Sequence, residues 1–261
     1  MNDTLKIIYQ RRSVRAYQDK SIDRTTIDAI LQAAMRSPTA GNMMLYSIIE
    51  VADQKTKDKL VKSCDNQPFI ARAPLVLVFL ADYQRWFDLF MASDVEEYCE
   101  AQNLNLRYPG EGDLMLACCD ALIAAQTAVV AAESLGIASC YIGDIMENYE
   151  FHRDLFDLPP YTFPITMLCF GYPKPGFDQH ALSPRYPQEN ICFTNQYQRL
   201  EKDQLLDMVA DRDKGHYQFG ATNFGQQFYA RKFASDFSVE MTRSVRAAID
   251  AWVKSQSSFK V

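Results

Sequence analysis

The sequence predicts a single domain built from both α-helices and β-strands, with a long extension at its C-terminal end. Residues 73–82, "APLVLVFLAD", form a continuous apolar run with β-branched residues, which is typical of a strand covered on both faces. Residues 23–35 and 114–135 repeat apolar side chains at helical spacing. From about residue 174 the composition shifts to proline, glycine and polar residues, which marks the start of the extension.

Shorter patterns of the same kind predict the remaining elements. The helix that follows a cap at Asn148 is expected to stop at Leu158-Pro159-Pro160, because proline cannot continue a helix. Two helices are predicted in the extension, near residues 201–212 and 236–255. The other predicted elements are the helices 4–12 and 55–64 and the strands 45–53, 138–144 and 162–173.

Residues 83–113 connect the strand 73–82 to the long helix. We expect part of this connection to be helical, because a structureless loop of this length is uncommon in a compact domain. It combines aromatic with acidic side chains, which suits a lid over a cavity as well as an ordinary helical excursion packed on the core. Residues 109–113, "PGEGD", are predicted to form a turn.

The long helix 114–135 is the best candidate for a membrane span. It holds Asp120, Gln126 and Glu133 and is rich in alanine, so a buried helix explains it better than a bilayer span, and no membrane partner is expected. Small residues fall on one stripe of this helix, against which another helix can pack closely. They are Ala121, Ala125, Ala128 and Ala132.

The charge of the chain argues against a general nucleic-acid binder. The 261 residues carry a formal net charge of −6 and give a pI near 5.2, whereas such binders show a basic face or a basic pI. The seven cysteines contain no Cys-x-x-Cys pair and are expected to be reduced thiols, mostly buried. No long apolar segment of a signal peptide follows Met1, and we expect a cytoplasmic protein.

Common catalytic patterns are missing from the sequence. It has no Walker phosphate loop, no Gly-x-Gly-x-x-Gly after a strand and no Gly-x-Ser-x-Gly elbow. The histidines His152, His180 and His216 are far apart and show no metal-ligand spacing, so no metal site is expected. What remains are stretches suited to binding a phosphate and a flat ring.

The clearest of these stretches is residues 9–17, "YQRRSVRAY". Arg11, Arg12 and Arg15 place three guanidinium groups within five positions, with the Ser13 hydroxyl between them. Guanidinium groups match phosphate oxygens in two-point geometry. The cluster therefore indicates a site for one phosphate, with a solvated helix end as the alternative.

Two further stretches suit a flat ring. In "SPTAGNMMLYS", residues 37–47, the small residues at 39–41 allow a ring to lie close to the backbone, and Asn42 offers an amide. In "YIGD", residues 141–144, backbone N–H groups next to a glycine at a strand end can reach a ligand closely.

These stretches, in this order, resemble the FMN-dependent nitroreductase family, and within it the oxygen-insensitive NAD(P)H nitroreductases and their flavin reductase relatives. The resemblance covers nearly the whole chain. Single motifs of this kind are weak, but five in this order and spacing are specific. They are "RRSVRAY", "SPTAGNMMLYSIIEV", "APLVLVFLAD", "AAQTAVVAAESLGIASCYIGDI" and "LPPYTFPITMLCFGYP".

The resemblance implies an α+β fold of three layers, in which a mixed central β-sheet is flanked by helices, and an intertwined homodimer. It implies one FMN-binding domain over residues 1–261, with 83–113 as a lid-like insertion and 174–261 as an extension that wraps the partner subunit. Two FMN molecules would lie at the dimer interface, each touched by both chains.

The resemblance also assigns residues to the cofactor. The arginine–serine cluster and Arg185 would bind the phosphate and ribityl chain, and the 39–42 loop would reach the FMN from the partner side. Gln67 lies where the family often has a flavin-contacting glutamine, and residues 141–144 would lie against the ring with a backbone N–H near its N5 atom. The implied contacts are Arg11, Arg12, Ser13, Arg15, Thr39, Ala40, Gly41, Asn42, Gln67, Tyr141, Ile142, Gly143, Asp144, Ser183 and Arg185.

For activity, the resemblance implies reduction of nitroaromatics, quinones or flavins by NADH or NADPH, in ping-pong hydride transfer through FMN without a catalytic side chain. The expected partners are a second copy of the chain and a small aromatic or quinone-like acceptor. Two other functions stay open, because a fold does not fix a function. One is a flavoprotein with another reaction, such as reductive dehalogenation or flavin destruction, and the other is a flavin-binding protein without turnover.

The chain departs from the family pattern at three places. Ser183 precedes Pro184-Arg185 where relatives commonly have lysine, and Met44 stands where many relatives have glutamine. The loop that is rich in arginine in NADPH-selective relatives reads "FYARKFASDF", with only Arg231 and Lys232. The choice between NADH and NADPH is therefore open.

Overall fold

The computed structural model describes residues 1–179 and 181–258. The chain divides into two units, the first formed by Met1–Phe177 with Glu240–Val261 and the second by Asp178–Val239. The strands are β1 (Tyr46–Glu50), β2 (Leu75–Asp82), β3 (Ala138–Ile142) and β4 (Thr162–Gly171). The helices are α1 (Asp3–Gln10), α2 (Arg24–Met35), α3 (Gln54–Ser63), α4 (Phe69–Arg72), α5 (Gln84–Met91), α6 (Val95–Ala101), α7 (Glu111–Ser134), α8 (Tyr149–Leu155), α9 (Lys202–Val209), α10 (Phe224–Phe228) and α11 (Asp236–Ser258).

A four-stranded sheet with the order β1-β2-β4-β3 lies at the centre of the first unit. Each neighbouring pair of strands is antiparallel. Within residues 1–179 and 181–258, the parallel component of the sheet is confined to a single bridge between Ser13 and Ser139. The α+β class is confirmed, and β3 is an edge strand that this bridge partly covers.

The sheet is covered by helices on both faces. Every residue of β2 is buried, and its side chains alternate between two clusters, as the two-residue period of a strand requires. Val76 and Val78 pack in one cluster with Leu60 of α3 and Ile70 of α4. Leu75, Leu77 and Phe79 instead share a cluster with residues of α2 and α7, so the unit has three layers.

The alanine stripe of α7 faces the sheet and α2, as the sequence predicts. Its four alanines have no exposed surface, and they share a cluster with Ile30 of α2 and Phe79 of β2. Small side chains allow these backbones to approach closely, which is the role that the spacing suggests. The same helix, Glu111–Ser134, is long and apolar enough to cross a bilayer by length and composition, but half of its most apolar window is buried inside the fold.

A third cluster of buried side chains lies around α5, the N-terminal half of α7 and α11. Phe87 of α5 contacts Tyr161 edge-on, with ring centroids 5.0 Å apart, and Tyr161 contacts Trp252 in the same way at 5.6 Å. Trp252 is 1% exposed. The end of the C-terminal extension therefore packs into the core of its own chain.

One predicted turn and one predicted side-chain cap were wrong. Residues 109–113 do not form a turn: Gly110 caps α7, and the Asp113 carboxylate accepts the Gly110 N–H at 2.8 Å. Asn148 precedes α8 as predicted, but its side chain does not cap that helix. Its Nδ2 donates instead to the Ser63 carbonyl at 3.1 Å, which ties α8 to the end of α3.

The connection 83–113 is largely helical, because it contains α5 and α6. In the second unit, α9 confirms one predicted helix. The aromatic stretch after it also contains helical structure, α10 and a π-helical turn over Tyr229–Phe233, which the sequence does not predict. Its glycine and aromatic residues have low helix propensity, so their pattern does not indicate a helix.

Candidate functional site

Residues 11–17 follow α1 and run beside the edge strand β3. Ser13 pairs with Ser139 in the parallel bridge, and the Val14 N–H donates to the Ser139 carbonyl at 2.9 Å. This backbone pairing fixes the register of the stretch. It places the arginine–serine cluster along the β3 edge.

Tyr17 holds the far end of this stretch. Its hydroxyl lies 2.7 Å from the Val14 carbonyl and 3.1 Å from the Cys169 carbonyl. A Cβ atom on Gly171 would lie 2.6 Å from Tyr17 Cγ, so the ring packs directly on the glycine backbone and no larger residue fits there. Burial raises the pKa of Tyr17 well above its usual value, and the phenol stays a neutral donor.

The cluster offers positive charge along an accessible edge. Arg11 and Arg12 are half-buried, whereas Ser13 and Arg15 are exposed. The Arg12 guanidinium donates through Nη1 to the Phe177 carbonyl at 3.4 Å and lies 5.9 Å from the centroid of the Phe177 ring. Three guanidinium groups and one hydroxyl on one edge form a suitable site for a phosphate.

The end of β3 leaves open space beside its backbone. The strand ends at Ile142 and continues into a 3₁₀ turn over Gly143–Met146. Ile142 is buried in the core, so only its backbone can meet a ligand. Gly143 is exposed, and apart from its own atoms and its chain neighbours no heavy atom of the described residues lies within 4 Å of a Cβ atom placed on it. A flat ring can therefore approach this backbone closely.

Tyr141 directs its side chain away from that open space. Its hydroxyl donates to Gln126 Oε1 of α7 at 3.2 Å, and the ring is half-buried. Burial raises the pKa of Tyr141 to about 12, so the phenol is neutral at physiological pH. Only the backbone at this position faces the candidate ring site.

Gln67 lies next to the same strand end. Its Nε2 donates to Asp144 Oδ2 at 2.9 Å and to the Cys64 carbonyl at 3.1 Å. Both amide hydrogens are used, so the side chain can meet a ligand only through its carbonyl oxygen, as an acceptor. A ring N–H is the group that matches it.

The 39–42 loop is held by a buried carboxylate of α7. Asp120 is 3% exposed and accepts the N–H groups of Ala40 at 3.0 Å and Leu45 at 3.2 Å. Thr39 Oγ1 accepts the Met44 N–H at 2.8 Å. Three residues have left-handed backbone, which suits a tight loop; they are Gly41, Asn42 and Met44.

The structure brings only part of the predicted site together within one chain. The arginine–serine cluster, Gln67 and residues 141–144 lie around the β3 end. The 39–42 loop instead lies at Asp120, near the middle of α7, whereas Arg11 and Arg12 lie near Glu133 at its end, where burial raises the pKa of the Glu133 carboxyl and the two arginines partly oppose this shift. At about 1.5 Å per residue, Asp120 and Glu133 are about 20 Å apart along α7. To contact both the arginine–serine cluster and the 39–42 loop of the same chain, one FMN would have to span the distance between these two points of α7.

Comparison with known proteins settles the family. The nitroreductase family profile matches residues 8–172, which is more than half of the chain. The chain belongs to the nitroreductase family. The chain is 32% identical over 215 residues to an FMN reductase [NAD(P)H] of Bacillus subtilis, covering 82% of this chain and 81% of that protein.

Two further relatives agree with this assignment. An oxygen-insensitive NADPH nitroreductase of Salmonella typhimurium is 31% identical over 205 residues, covering 78% of this chain and 79% of that protein. The solved structure of NfrA2 from B. megaterium superposes with a TM-score of 0.78 and 30% identity, covering 97% of this chain and 98% of that one.

The contacts that the polar residues of α7 make around the candidate site are not predicted by the sequence. Asp120 anchors the 39–42 loop, Gln126 accepts the Tyr141 hydroxyl, and Glu133 faces Arg11 and Arg12. The signal was present, because these residues interrupt an otherwise apolar helix. Each of them contacts or faces a different part of the candidate site.

A group of carboxylates beside Gln67 was also missed. Glu147 is 7% exposed and its Oε1 has no hydrogen-bond partner among residues 1–179 and 181–258. Burial, followed by the charges of Asp144 and Asp65, raises the pKa of Glu147 to about 7. The nearby carboxylates of Asp144 and Asp65 therefore add to the effect of burial and favour the neutral form of Glu147.

Ser183 and Arg185 lie in the second unit of the nitroreductase. Both are exposed and line a cavity of about 650 Å³ together with Tyr186, Arg212 and Lys214. The Arg212 guanidinium donates to the Tyr186 hydroxyl at 2.6 Å. The cavity is therefore basic. The predicted phosphate contact by Arg185 stays a prediction.

The remaining cysteines and histidines provide no metal centre in the part of the chain that the structure describes. All seven cysteines are free thiols, but the expectation that most are buried was wrong, since only Cys64, Cys140 and Cys169 are buried. His152 is buried with its Nε2 2.8 Å from Ser63 Oγ, and burial lowers its pKa. His216 is exposed, and His180 lies outside the described residues.

Proposed function

We propose that this chain is an FMN-dependent NAD(P)H oxidoreductase that reduces flat acceptors such as nitroaromatics, quinones or flavins. The observation that carries the proposal is the arginine–serine cluster on the β3 edge, next to the open backbone at Gly143. Relatives that are named FMN reductase and NADPH nitroreductase support the same activity.

The residues present fit FMN. The guanidinium groups of the cluster would hold the phosphate, and the backbone at Gly143 would lie against the ring, where a side chain would take up the space. Gln67 would accept a hydrogen bond from a ring N–H. When bound, FMN supplies the redox chemistry by taking a hydride from NADH or NADPH and passing electrons to the acceptor.

The protein's own contribution is binding and orientation. Tyr17, Tyr141 and the buried Ile142 are neutral or apolar and hold the β3 edge in place without acid–base chemistry. Reductant and acceptor would use the same open space in turn, which predicts ping-pong kinetics. No side chain is assigned as a nucleophile or general base.

A homodimer would complete the site. On α7, the residues that face away from the core form an exposed apolar strip, and a second copy of the chain is the occupant that we propose for it. A partner would also bring its own 39–42 loop, whose anchor Asp120 lies about 20 Å along α7 from Glu133, the residue near the arginine cluster. The strip consists of Met115, Leu116, Leu122 and Ile123.

The connection 83–113 would receive the acceptor. It encloses a cavity of about 450 Å³, within the usual range for small-molecule sites. Aromatic and aliphatic side chains dominate its wall, so a flat aromatic or quinone-like molecule is the ligand class that fits. The main lining residues are Tyr83, Phe87, Phe90, Tyr98, Leu104 and Arg107.

The lid role has its own test. Phe90→Ala and Leu104→Ala should change the ratio of kcat/KM values between a quinone and a nitroaromatic by several-fold while FMN affinity stays constant. Leu89→Ala serves as the control, because Leu89 is exposed on the same helix and does not line the cavity. A change in FMN affinity without a change in acceptor preference would refute the lid.

A stopped-flow panel tests the whole proposal. The purified protein should bind FMN and turn yellow, its flavin absorbance should bleach with NADH or NADPH, and it should recover with quinone, nitroaromatic or free flavin. FMN uptake without bleaching would favour a flavin-binding protein without turnover. Bleaching without recovery by these acceptors would favour another flavoprotein reaction. Protein that takes up no FMN would overturn all these functions.

The expected location of such an enzyme is the cytoplasm.

A further inference from the structure

The carboxyl group of Glu133 lies in an unusual position for an acid. It belongs to the last turn of α7, and its Oε1 is buried without a hydrogen-bond partner among residues 1–179 and 181–258. Ser13 pairs with Ser139, six residues after Glu133, so the preceding Arg11 and Arg12 lie near the end of α7, and both act on the Glu133 carboxyl through their charge. A half-buried acid thus lies near the arginines that the proposed function assigns to a phosphate.

Three features of this position favour the neutral form of Glu133. Burial removes the carboxylate from water, and the unpartnered oxygen has no donor to compensate. The C-terminal end of a helix carries partial negative charge, which repels a carboxylate. The two arginines act in the opposite direction. Burial outweighs them, and the pKa of Glu133 is raised to about 7.

We infer that Glu133 is the proton-linked counter-charge of the phosphate site. In the free protein its carboxylate offsets the charge of Arg11 and Arg12. When the FMN phosphate, a dianion, binds these arginines, the fraction of Glu133 that is still ionised takes up a proton from solvent and becomes neutral. The phosphate keeps its charge, and no bond other than the O–H bond of Glu133 forms. The inference rests on the proposed function.

A pH dependence of a defined sign follows. The bound phosphate raises the pKa of Glu133 further, so the complex holds more protons than the free protein above about pH 7. FMN affinity therefore falls as the pH rises through this range, by at most about tenfold per pH unit for one proton. The second ionisation of a phosphate monoester, near pH 6, instead strengthens binding to the arginines as the pH rises. The effect of Glu133 on FMN affinity is therefore measured above pH 7, where the phosphate is already a dianion.

The test is FMN binding by the full-length protein between pH 7 and 9. Calorimetry in two buffers of different ionisation enthalpy counts the protons, and fluorescence quenching gives the Kd. The native protein should take up a fraction of a proton near pH 7.5 with FMN but none with riboflavin, which lacks the phosphate. Glu133→Gln should show no uptake, a flat Kd and severalfold tighter FMN binding at pH 8.5.

Matched variants keep the result interpretable. Glu111→Gln, an exposed change at the other end of α7, should behave like the native protein. Glu133→Asp keeps a carboxyl and should keep the uptake, whereas Glu133→Ala, which removes the carboxyl, should lose it and serves if the glutamine variant fails to fold. FMN binding without proton uptake in the native protein, or with undiminished uptake in Glu133→Gln, would overturn the inference and leave the proposed function standing. A native protein that does not bind FMN would overturn both.

Discussion

Arg15 is the exposed member of the arginine cluster, and its contribution to cofactor binding can be separated from folding. Arg15→Ala should weaken FMN binding by about tenfold, the lower end of what a charge-assisted hydrogen bond is worth, because water screens an exposed guanidinium. The Kd should be measured at low and high salt, since the difference from the native protein should shrink as salt rises.

Arg36→Ala is the control for Arg15, because it removes the same charge from an exposed position at the end of α2. Equal FMN affinity of the native protein and Arg15→Ala at low salt would count against the phosphate site.

Glu147 should make stability depend on pH. Its folded-state pKa of about 7 lies above the ordinary value of 4.5 for a glutamate, so its contribution is complete below pH 4.5 and is lost as the pH rises to 7. Glu147→Gln removes this loss. The variant should gain about 1 to 2 kcal/mol relative to the native protein between pH 5 and pH 8, measured as the change in the free energy of urea unfolding.

The matched change for Glu147 is Glu97→Gln, on the exposed face of α6, which should leave the pH profile as it is. A pH profile of Glu147→Gln parallel to that of the native protein would show that the pKa of Glu147 is not raised in the folded state.

At the scale of elements, the 39–45 loop is held from two sides. From α5, the Trp86 indole Nε1 donates to the Met43 carbonyl at 2.7 Å and Arg85 Nη1 donates to the Met44 carbonyl at 3.4 Å. From α7, Asp120 accepts two backbone N–H groups. Hydrogen bonds from α5, the first helix of the lid-like segment, and from α7 therefore both hold the 39–45 loop in place.

Asp120→Ala should destabilise the protein by about 2 to 3 kcal/mol, because it leaves two backbone donors without their charged acceptor. Urea unfolding gives this value, and the off-rate of FMN reports whether the loop also loses its position. Asp88→Ala is the comparison, since the Asp88 carboxylate accepts a surface hydrogen bond from Gln84, at 2.7 Å. Equal stability of the two variants would mean that the loop does not depend on the buried carboxylate.

The elements that could be predicted are those with a strong local pattern. β2 was predicted because a run of buried β-branched residues has few alternatives, and α2 because its apolar stripe begins at the Asp23 cap, whose carboxylate accepts the Thr26 N–H at 2.9 Å. The start of α7 was missed because glycine and proline precede it, and the Asp113 side chain that caps it has no pattern of its own.

The candidate site could be predicted only as a set of stretches. The arginine–serine cluster and residues 141–144 could be predicted as parts of one site from their order in the chain, and the backbone pairing of residues 11–17 with β3 brings them together. The partners of Asp120 and Glu133 could not be predicted, because a lone acidic residue in a helix does not reveal what lies opposite it. That information depends on tertiary packing, which joins residues about 80 and 120 positions apart in the chain.

At the scale of the whole molecule, the exposed apolar strip of α7 predicts self-association. Leu122→Lys places a charge on this strip and should weaken dimerisation at least tenfold, because a charge buried in an interface without a partner is costly. Analytical ultracentrifugation over a range of protein concentrations measures the change, and FMN occupancy should fall with it.

Leu89→Lys is the matched change for Leu122. The two leucines are 50% and 42% exposed, respectively, but Leu89 lies on α5, outside the strip. A native protein that is monomeric at micromolar concentration would contradict the homodimer. So would a Leu122→Lys protein that associates as the native protein does.

The distance between the arginine cluster and the 39–42 loop has a genetic consequence. In the proposed dimer, each cofactor site takes its phosphate contacts from one chain and its loop from the other. A subunit defective at Arg15 and a subunit defective at Asp120 would then form a mixed dimer with one doubly damaged site and one intact site. Two inactive alleles expressed in the same cell would restore activity to each other, which no pair of alleles could do if every site belonged to a single chain.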